Sequence, residues 1–232
     1  MVKGYIFDYG GTLDTAGTHW GQVLWQSYSK NNIPVSENEF REAYVHAERM
    51  LGKNHIIMPD YTFYKTLDAK LSIEMEYLAS SGYWKAGENE IKTAREKILN
   101  EVYEGVKQET ENSRIVLKTL SADYPMVLVS NFYGNINIVL EEFGFNNLFS
   151  AVIESAVVGI RKPDPEIFTL GVKALKLKPE ETTVVGDSFT KDIIPASKAG
   201  CNTVWLKGKG WTEENFDETI PGRIITDLKQ LL

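Results

Sequence analysis

The stretch Val2-Lys3-Gly4-Tyr5-Ile6-Phe7-Asp8-Tyr9-Gly10-Gly11-Thr12-Leu13 decides the fold. Val2 to Phe7 reads as a short buried strand, and the paired glycines after Tyr9 permit a turn that most residues could not make. A strand ending in a carboxylate and a tight loop suits an open α/β sheet, which binds ligands at its carboxyl edge. Asp8 is there either as a turn former or as a carboxylate displayed at that edge.

Working outward, the apolar runs Met126–Val129, Ala151–Ile153, Thr183–Val185 and Thr203–Leu206 read as further strands, with helical patterns over 134–143, 164–175 and 190–199 between them. That alternation predicts a doubly wound parallel sheet covered by helices. Ile224-Ile225-Thr226-Asp227 suggests one more strand and an N-capped closing helix. The stretch from Thr15 to about Thr110 differs. It shows no convincing strand, and its apolar residues recur at helical spacing, as in Phe40…Tyr44…Ala47 and Ile91…Ala94…Ile98…Val102. Breaks at Asn31–Pro34, Met58–Asp60 and Ser80–Gly82 divide it into four helices, the first three forming an inserted cap and the last returning to the sheet domain. The expected organisation is a core of residues 1–15 and 88–232, with a cap over 16–87.

With 232 residues, 43% of them apolar, the chain can bury a full core without staples. Its one cysteine, Cys201, excludes an intramolecular disulfide or a four-thiolate zinc site and points to a reducing, cytoplasmic setting. The first residues lack the apolar stretch of a signal peptide, and no run of about 18 apolar residues occurs, so a soluble protein is expected. The balance of 25 Lys+Arg against 32 Asp+Glu, a net charge of −7, argues against nucleic-acid and anionic-membrane partners. It still allows a small anionic substrate at a cationic or metal-bearing site.

Four segments end in groups that can do chemistry. Besides Asp8, Ser130-Asn131 closes the second strand, where a hydroxyl and free backbone N–H groups can hold an oxyanion or simply make a turn. Arg161-Lys162-Pro163-Asp164-Pro165 sets two cations before a helix, as a functional or a surface loop. Gly186-Asp187-Ser188 follows another strand, with Asp192 five residues beyond Asp187. Both carboxylates could face one site, and hard oxygen ligands there suit Mg²⁺ rather than zinc.

Taken in order, Asp8-Tyr9-Gly10-Gly11-Thr12-Leu13, Ser130-Asn131, Lys162-Pro163 and Gly186-Asp187-Ser188 with Asp192 resemble the four motifs of the haloacid dehalogenase (HAD) superfamily. The resemblance spans residues 5 to 200, and the helical insertion falls where many members carry an α-helical cap on a Rossmann-like core. It implies a hydrolase, most often a phosphatase, acting on a small phosphorylated metabolite. Asp8 would be the nucleophile forming an aspartyl-phosphate. Ser130, with Asn131, Gly11 and Thr12, would bind the transferred phosphoryl group, and Lys162 would neutralise charge on nucleophile and phosphate. Asp8, Asp187, Asp192 and the Gly10 backbone carbonyl would hold Mg²⁺. The charge balance agrees, because three carboxylates cannot cluster with one lysine unless a divalent cation offsets the excess.

The chain departs from that pattern at Gly10, where HAD phosphatases usually carry a general acid/base Asp. General acid–base catalysis contributes about 10²–10⁴-fold, so its loss costs roughly 3–5 kcal/mol of barrier. The deficit is serious for an alkyl phosphate and mild for an acyl or aryl phosphate. His19, Asp14 or a water are the substitutes in reach, His19 having an ordinary pKa near 6.5. Two branches dispense with that Asp: dehalogenases, which typically have Tyr there, and phosphonate-cleaving members, which use a cap lysine as a Schiff base. Lys30, Lys53, Lys65 and Lys70 lie in the insertion. A protein that keeps the fold and only binds a metal or phosphorylated ligand is the non-enzymatic alternative. In the cap, His19 and Arg49 are the leading substrate contacts, with Trp20, His46, His55, Tyr61 and Tyr64 as further candidates. A monomer or weak dimer is the default state.

Overall fold

The computed structural model describes residues 1–211 and 215–232. Strand β1 (Gly4–Phe7) is followed by four helices, α1 (Trp20–Lys30), α2 (Glu37–Lys53), α3 (Phe63–Ser80) and α4 (Glu88–Leu120). Then come β2 (Met126–Ser130), α5 (Ile136–Glu142), β3 (Ala151–Glu154), the single turn α6 (Ser155–Val158), α7 (Glu166–Leu175), β4 (Thr182–Gly186), α8 (Ile194–Lys198), β5 (Asn202–Leu206) and β6 (Arg223–Ile225). All strands are parallel, in the order β3-β2-β1-β4-β5-β6. The direction of winding reverses between β1 and β4, the crevice where open α/β sheets bind ligands.

The alternation along each strand builds two cores. Tyr5, Phe7, Met126, Leu128 and Val185 join a large cluster with Val116, Leu117 and Leu120 of α4 and Ile136, Val139 and Leu140 of α5. Ile6, Val127, Val129 and Val184 face the other way, against Ile167, Phe168, Val172 and Leu175 of α7. Helix α7 lies so close to the sheet that a Cβ on Gly171 would stand 2.7 Å from Ile6 Cδ1. Helices therefore cover both faces, which makes the core a doubly wound α/β sheet.

The first three helices pack on one another and on α4 through residues such as Leu24, Tyr28, Phe40, Leu71, Met75, Leu78 and Ile98. Helix α2 starts at a reciprocal cap, Ser36 accepting from Glu39 N–H while Glu39 accepts from Ser36 N–H. Helix α4 runs unbroken for 33 residues, with no proline to stop it, from beside the insertion to the face of the sheet.

Three expectations change in detail. The helix expected over 190–199 is a π-helical turn, Phe189–Ile193, followed by the short α8 with Pro195 in its first turn. The expected closing helix is a 3₁₀ turn, Leu228–Leu231, which Asp227 does cap. The short α6 lies where no helix is expected. Among the described residues, no helix is long and apolar enough to cross a membrane.

Candidate active site

Asp8 N–H donates to Val185 O at 3.0 Å, so the chain leaves β1 with the Asp8 carboxylate at the carboxyl edge, beside the ends of β2 and β4. Lys162 comes from the segment between α6 and α7. Its ammonium is buried, 2.6 Å from Asp8 Oδ1 and 2.7 Å from Asp192 Oδ1. The other Asp192 oxygen accepts Ser188 N–H at 3.0 Å. Two glycines make room for this. A Cβ on Gly186 would overlap the Asp192 side chain, and one on Gly11, whose φ is +98°, would overlap the Asp187 carboxylate.

Thr12 fastens Asp187. Its hydroxyl accepts Asp187 N–H at 3.0 Å and lies 2.9 Å from Asp187 Oδ1 but 3.4 Å from Asp8 Oδ2. With one hydrogen to give, it gives it to the nearer Asp187. Asp8 Oδ2 is thereby left the less engaged oxygen of that carboxylate.

Oxygens of Asp8, Asp187 and Asp192 lie within 4.8 Å of one another. Burial pushes Asp8 up to about 6, with Lys162 pulling it down and Asp192 pushing it further up. Burial, then Asp192 and Asp8, raise Asp187 well above the usual carboxylate range. Burial opposes the charge on Lys162, but Asp192 and Asp8 outweigh it and hold the ammonium protonated. Three hard oxygen donors with one compensating cation fit a divalent, oxygen-preferring ion such as Mg²⁺. Gly10 lines the same cavity, and its carbonyl accepts no hydrogen bond among the described residues.

Ser130 ends β2 and lines the cavity. The Asn131 side chain is committed elsewhere, accepting Lys162 N–H and donating to Lys162 O, both at 3.0 Å, so it positions the lysine. The expectation that Gly11 and Thr12 bind phosphate needs correction. Gly11 N–H donates to Asp14 Oδ1 at 2.6 Å, Thr12 N–H to Tyr9 O at 3.2 Å, and the Thr12 hydroxyl serves Asp187. These groups are consumed in closing the loop.

At Gly10, the place of the missing carboxylate is open: among the described residues a Cβ there meets only Trp20 Nε1, at 3.9 Å. That indole donates to Asp14 Oδ2 at 3.1 Å. Asp14 is buried but lines the cavity, and burial pushes it up to about 7. His19 also lines the cavity, yet burial and nearby lysines lower it to about 4, so it is neutral near pH 7. Its Nδ1 caps α1 by accepting Gly21 N–H at 3.0 Å.

The helical insertion and the sheet edge enclose a cavity of about 1020 Å³ reaching from Asp8 to α2 and α3. Arg41, Tyr44 and Glu48 of α2 line it, at the i, i+3, i+7 spacing of one helix face. Arg49, expected here, is exposed and absent from the lining, because the next residue along a helix points about 100° away. His46 stacks on Tyr77, with ring centroids 4.6 Å apart, and His55 is exposed; neither lines the cavity. Lys70 of α3 does, buried in an ion pair with Glu48 and 4.1 Å from the centre of the Tyr44 ring. Glu48 raises the Lys70 pKa against the effect of burial, the opposite of what a Schiff-base nucleophile requires. Sequence reasoning missed Glu48, Arg41 and Tyr133; the α2 spacing could have exposed the first two.

A family model described as "haloacid dehalogenase-like hydrolase" matches residues 2–200. The glyceraldehyde 3-phosphate phosphatase of Pyrococcus furiosus is 38% identical over 88 residues, which are 38% of this chain and 37% of the relative. The phosphoserine phosphatase of Thermus thermophilus is 38% identical over 88 residues, 38% of this chain and 34% of the relative. The matched stretch thus spans little more than a third of these relatives' lengths. YfnB of Bacillus subtilis, described as a HAD-hydrolase bound to magnesium, superposes with a TM-score of 0.60 at 20% identity, over 99% of this chain and 96% of that one.

Proposed function

The chain belongs to the haloacid dehalogenase-like hydrolases, and from that premise we propose that it is a Mg²⁺-dependent phosphatase of small phosphate monoesters working through Asp8. One observation carries the reading: the Lys162 ammonium is buried between Asp8 and Asp192, with Asp187 alongside, at one end of the large cavity. We read residues 16–87 as the cap over that cavity and residues 1–15 with 88–232 as the core.

Mg²⁺ held by Asp8, Asp187, Asp192 and the Gly10 carbonyl would neutralise charge on the transferring phosphoryl group. Asp8 Oδ2 attacks phosphorus, an acyl-phosphate bond forms to Asp8, and the bond to the leaving oxygen breaks with its electron pair. Lys162 keeps Asp8 Oδ1 paired and balances charge in the transfer, while the Ser130 hydroxyl donates to a phosphoryl oxygen. Water then attacks the phosphoaspartate and releases inorganic phosphate. Outside the proposed metal ligands, Asp14 is a cavity carboxyl that can hold a proton near neutrality, and Gly10 biases the site toward leaving groups that need little protonation. The single, buried Cys201 fits a cytoplasmic location.

Hydrolysis of p-nitrophenyl phosphate and acetyl phosphate, with and without Mg²⁺, tests this reading against Asp8→Asn as the blank. Mg²⁺-dependent turnover that falls by about 10³-fold or more in the variant is expected. Turnover no greater than that of the variant would replace the enzyme with a protein that only binds its ligand.

A further inference from the structure

The Lys70–Glu48 pair stands on the insertion, facing the cavity that starts at Asp8, and the phosphoryl chemistry leaves it unused. Glu48 Oε1 accepts both from Lys70 Nζ and from Tyr133 Oη, the latter at 3.2 Å and from the loop that follows Ser130. Glu48 Oε2 has no hydrogen-bond partner among the described residues, and the Glu48 side chain is 35% exposed. A charged acceptor and a charged donor are thus held side by side in the wall.

The pair carries no net charge of its own. Burial keeps His19 neutral, and with Nδ1 accepting Gly21 N–H its proton resides on Nε2 as a donor. Arg41 is committed, donating to Trp211 O at 2.7 Å and to Glu37, and standing 4.4 Å over the Trp211 ring. Arg161, Lys191, Lys207 and Lys209 also line the cavity, and all four are exposed, where solvent screens them. The remaining walls include the rings of Trp20, Tyr44, Phe132, Tyr133 and Trp211.

A charged leaving group would meet a pair whose two charges already balance, and would gain no net attraction there while losing its own hydration. Neighbouring hydroxyls have no such charge. Each donates to the open Glu48 oxygen or accepts from Lys70, and the C–H face of the ring that bears them packs on the aromatic walls. We infer that Lys70, Glu48 and Tyr133 form the leaving-group subsite and that it takes a neutral, polyhydroxylated group, so that the substrate is a phosphorylated sugar. The inference rests on the phosphatase reading of the same site.

Calorimetry on the full-length Asp8→Asn chain with Mg²⁺ tests it without turnover, using glucose 1-phosphate, glucose 6-phosphate, ribose 5-phosphate, phosphoserine, phosphoglycolate and inorganic phosphate. At least one sugar phosphate is expected to bind more tightly than inorganic phosphate, phosphoserine and phosphoglycolate. Because Glu48→Gln alone would strand the buried Lys70, the second chain adds both Glu48→Gln and Lys70→Met, removing the two charges together. In it the preference for that sugar phosphate over inorganic phosphate should shrink by about tenfold or more. An undiminished preference, or tighter binding of phosphoserine, phosphoglycolate or inorganic phosphate by the parent, overturns the assignment. Acetyl phosphate turnover by the unmutated protein is read separately, so failure of the phosphatase reading is distinguishable from failure of the subsite.

Discussion

Lys162 and Asp8 lie 154 residues apart in sequence and 2.6 Å apart in space, as a buried ion pair at the crevice between β1 and β4. The same ammonium reaches Asp192, so one cation serves two carboxylates, while Asp187 has no ion-pair partner among the described residues. This shortage of positive charge shapes how the site should respond to mutation, metal and pH.

Asp187→Asn removes a carboxylate that burial and its acidic neighbours penalise. Without metal the variant should be more stable than the parent, and it should bind Mg²⁺ at least about tenfold more weakly, since a charged ligand is lost. Thermal unfolding and calorimetric Mg²⁺ titration check the two halves. Unaltered Mg²⁺ affinity would remove Asp187 from the ligand set.

Gly10→Asp should be accommodated, because among the described residues a Cβ there meets only Trp20 Nε1, at 3.9 Å, and Gly10 is not among the glycines with positive φ. It should raise turnover of alkyl phosphates by about 10²-fold while affecting p-nitrophenyl phosphate far less. The ratio of the two kcat values is the readout. An unchanged ratio would mean that Asp14 already supplies the proton.

Glu74 gives a pH dependence away from the reaction centre. It is fully buried, accepts the Tyr28 hydroxyl at 3.2 Å, and leaves Oε1 without a partner among the described residues. Burial pushes it from its ordinary 4.5 up to about 7, with Lys70 pulling the other way. The folded state therefore binds more protons than the unfolded state between those values, and stability falls as pH rises from about 4.5 to about 7. Glu74→Gln should change stability little at pH 4.5 and raise it by up to roughly 3 kcal/mol at pH 8. Urea unfolding at the two pH values decides this; an equal effect at both would show that Glu74 is ionised throughout.

Gly186→Ala should destabilise the protein by about 1–3 kcal/mol, as overpacking does, because the new Cβ would overlap the Asp192 side chain. The displaced Asp192 should also release Lys162, lowering turnover beyond what the stability loss explains. Activity measured well below the unfolding midpoint separates the two effects, and full activity there would show that Asp192 need not sit where it does.

The strands were legible because a buried parallel sheet demands short apolar runs, and the glycine-rich stops after Phe7 and Val185 marked its carboxyl edge. Asp8, Lys162, Asp187 and Asp192 stood out because each follows a strand or precedes a helix, where side chains are free to do chemistry. The π turn over 189–193 was not legible, since it differs from an α-helix only in backbone pairing. Gly11 and Thr12 misled for a related reason: a loop amide is open to a ligand only if the loop leaves it unpaired, and Asp14 and Tyr9 take these two.

By itself the sequence determined the order of strands and helices, the place of the insertion and the reactive residue types, because periodicity and local turn chemistry act over a few residues. Only the tertiary structure decided that Glu48, Lys70 and Tyr133 meet in one wall, that Arg49 turns away, that His19 is neutral and that burial pushes Asp14 up to about 7. Those properties depend on burial and on charges brought together from distant parts of the chain, and neither exists until the chain has folded.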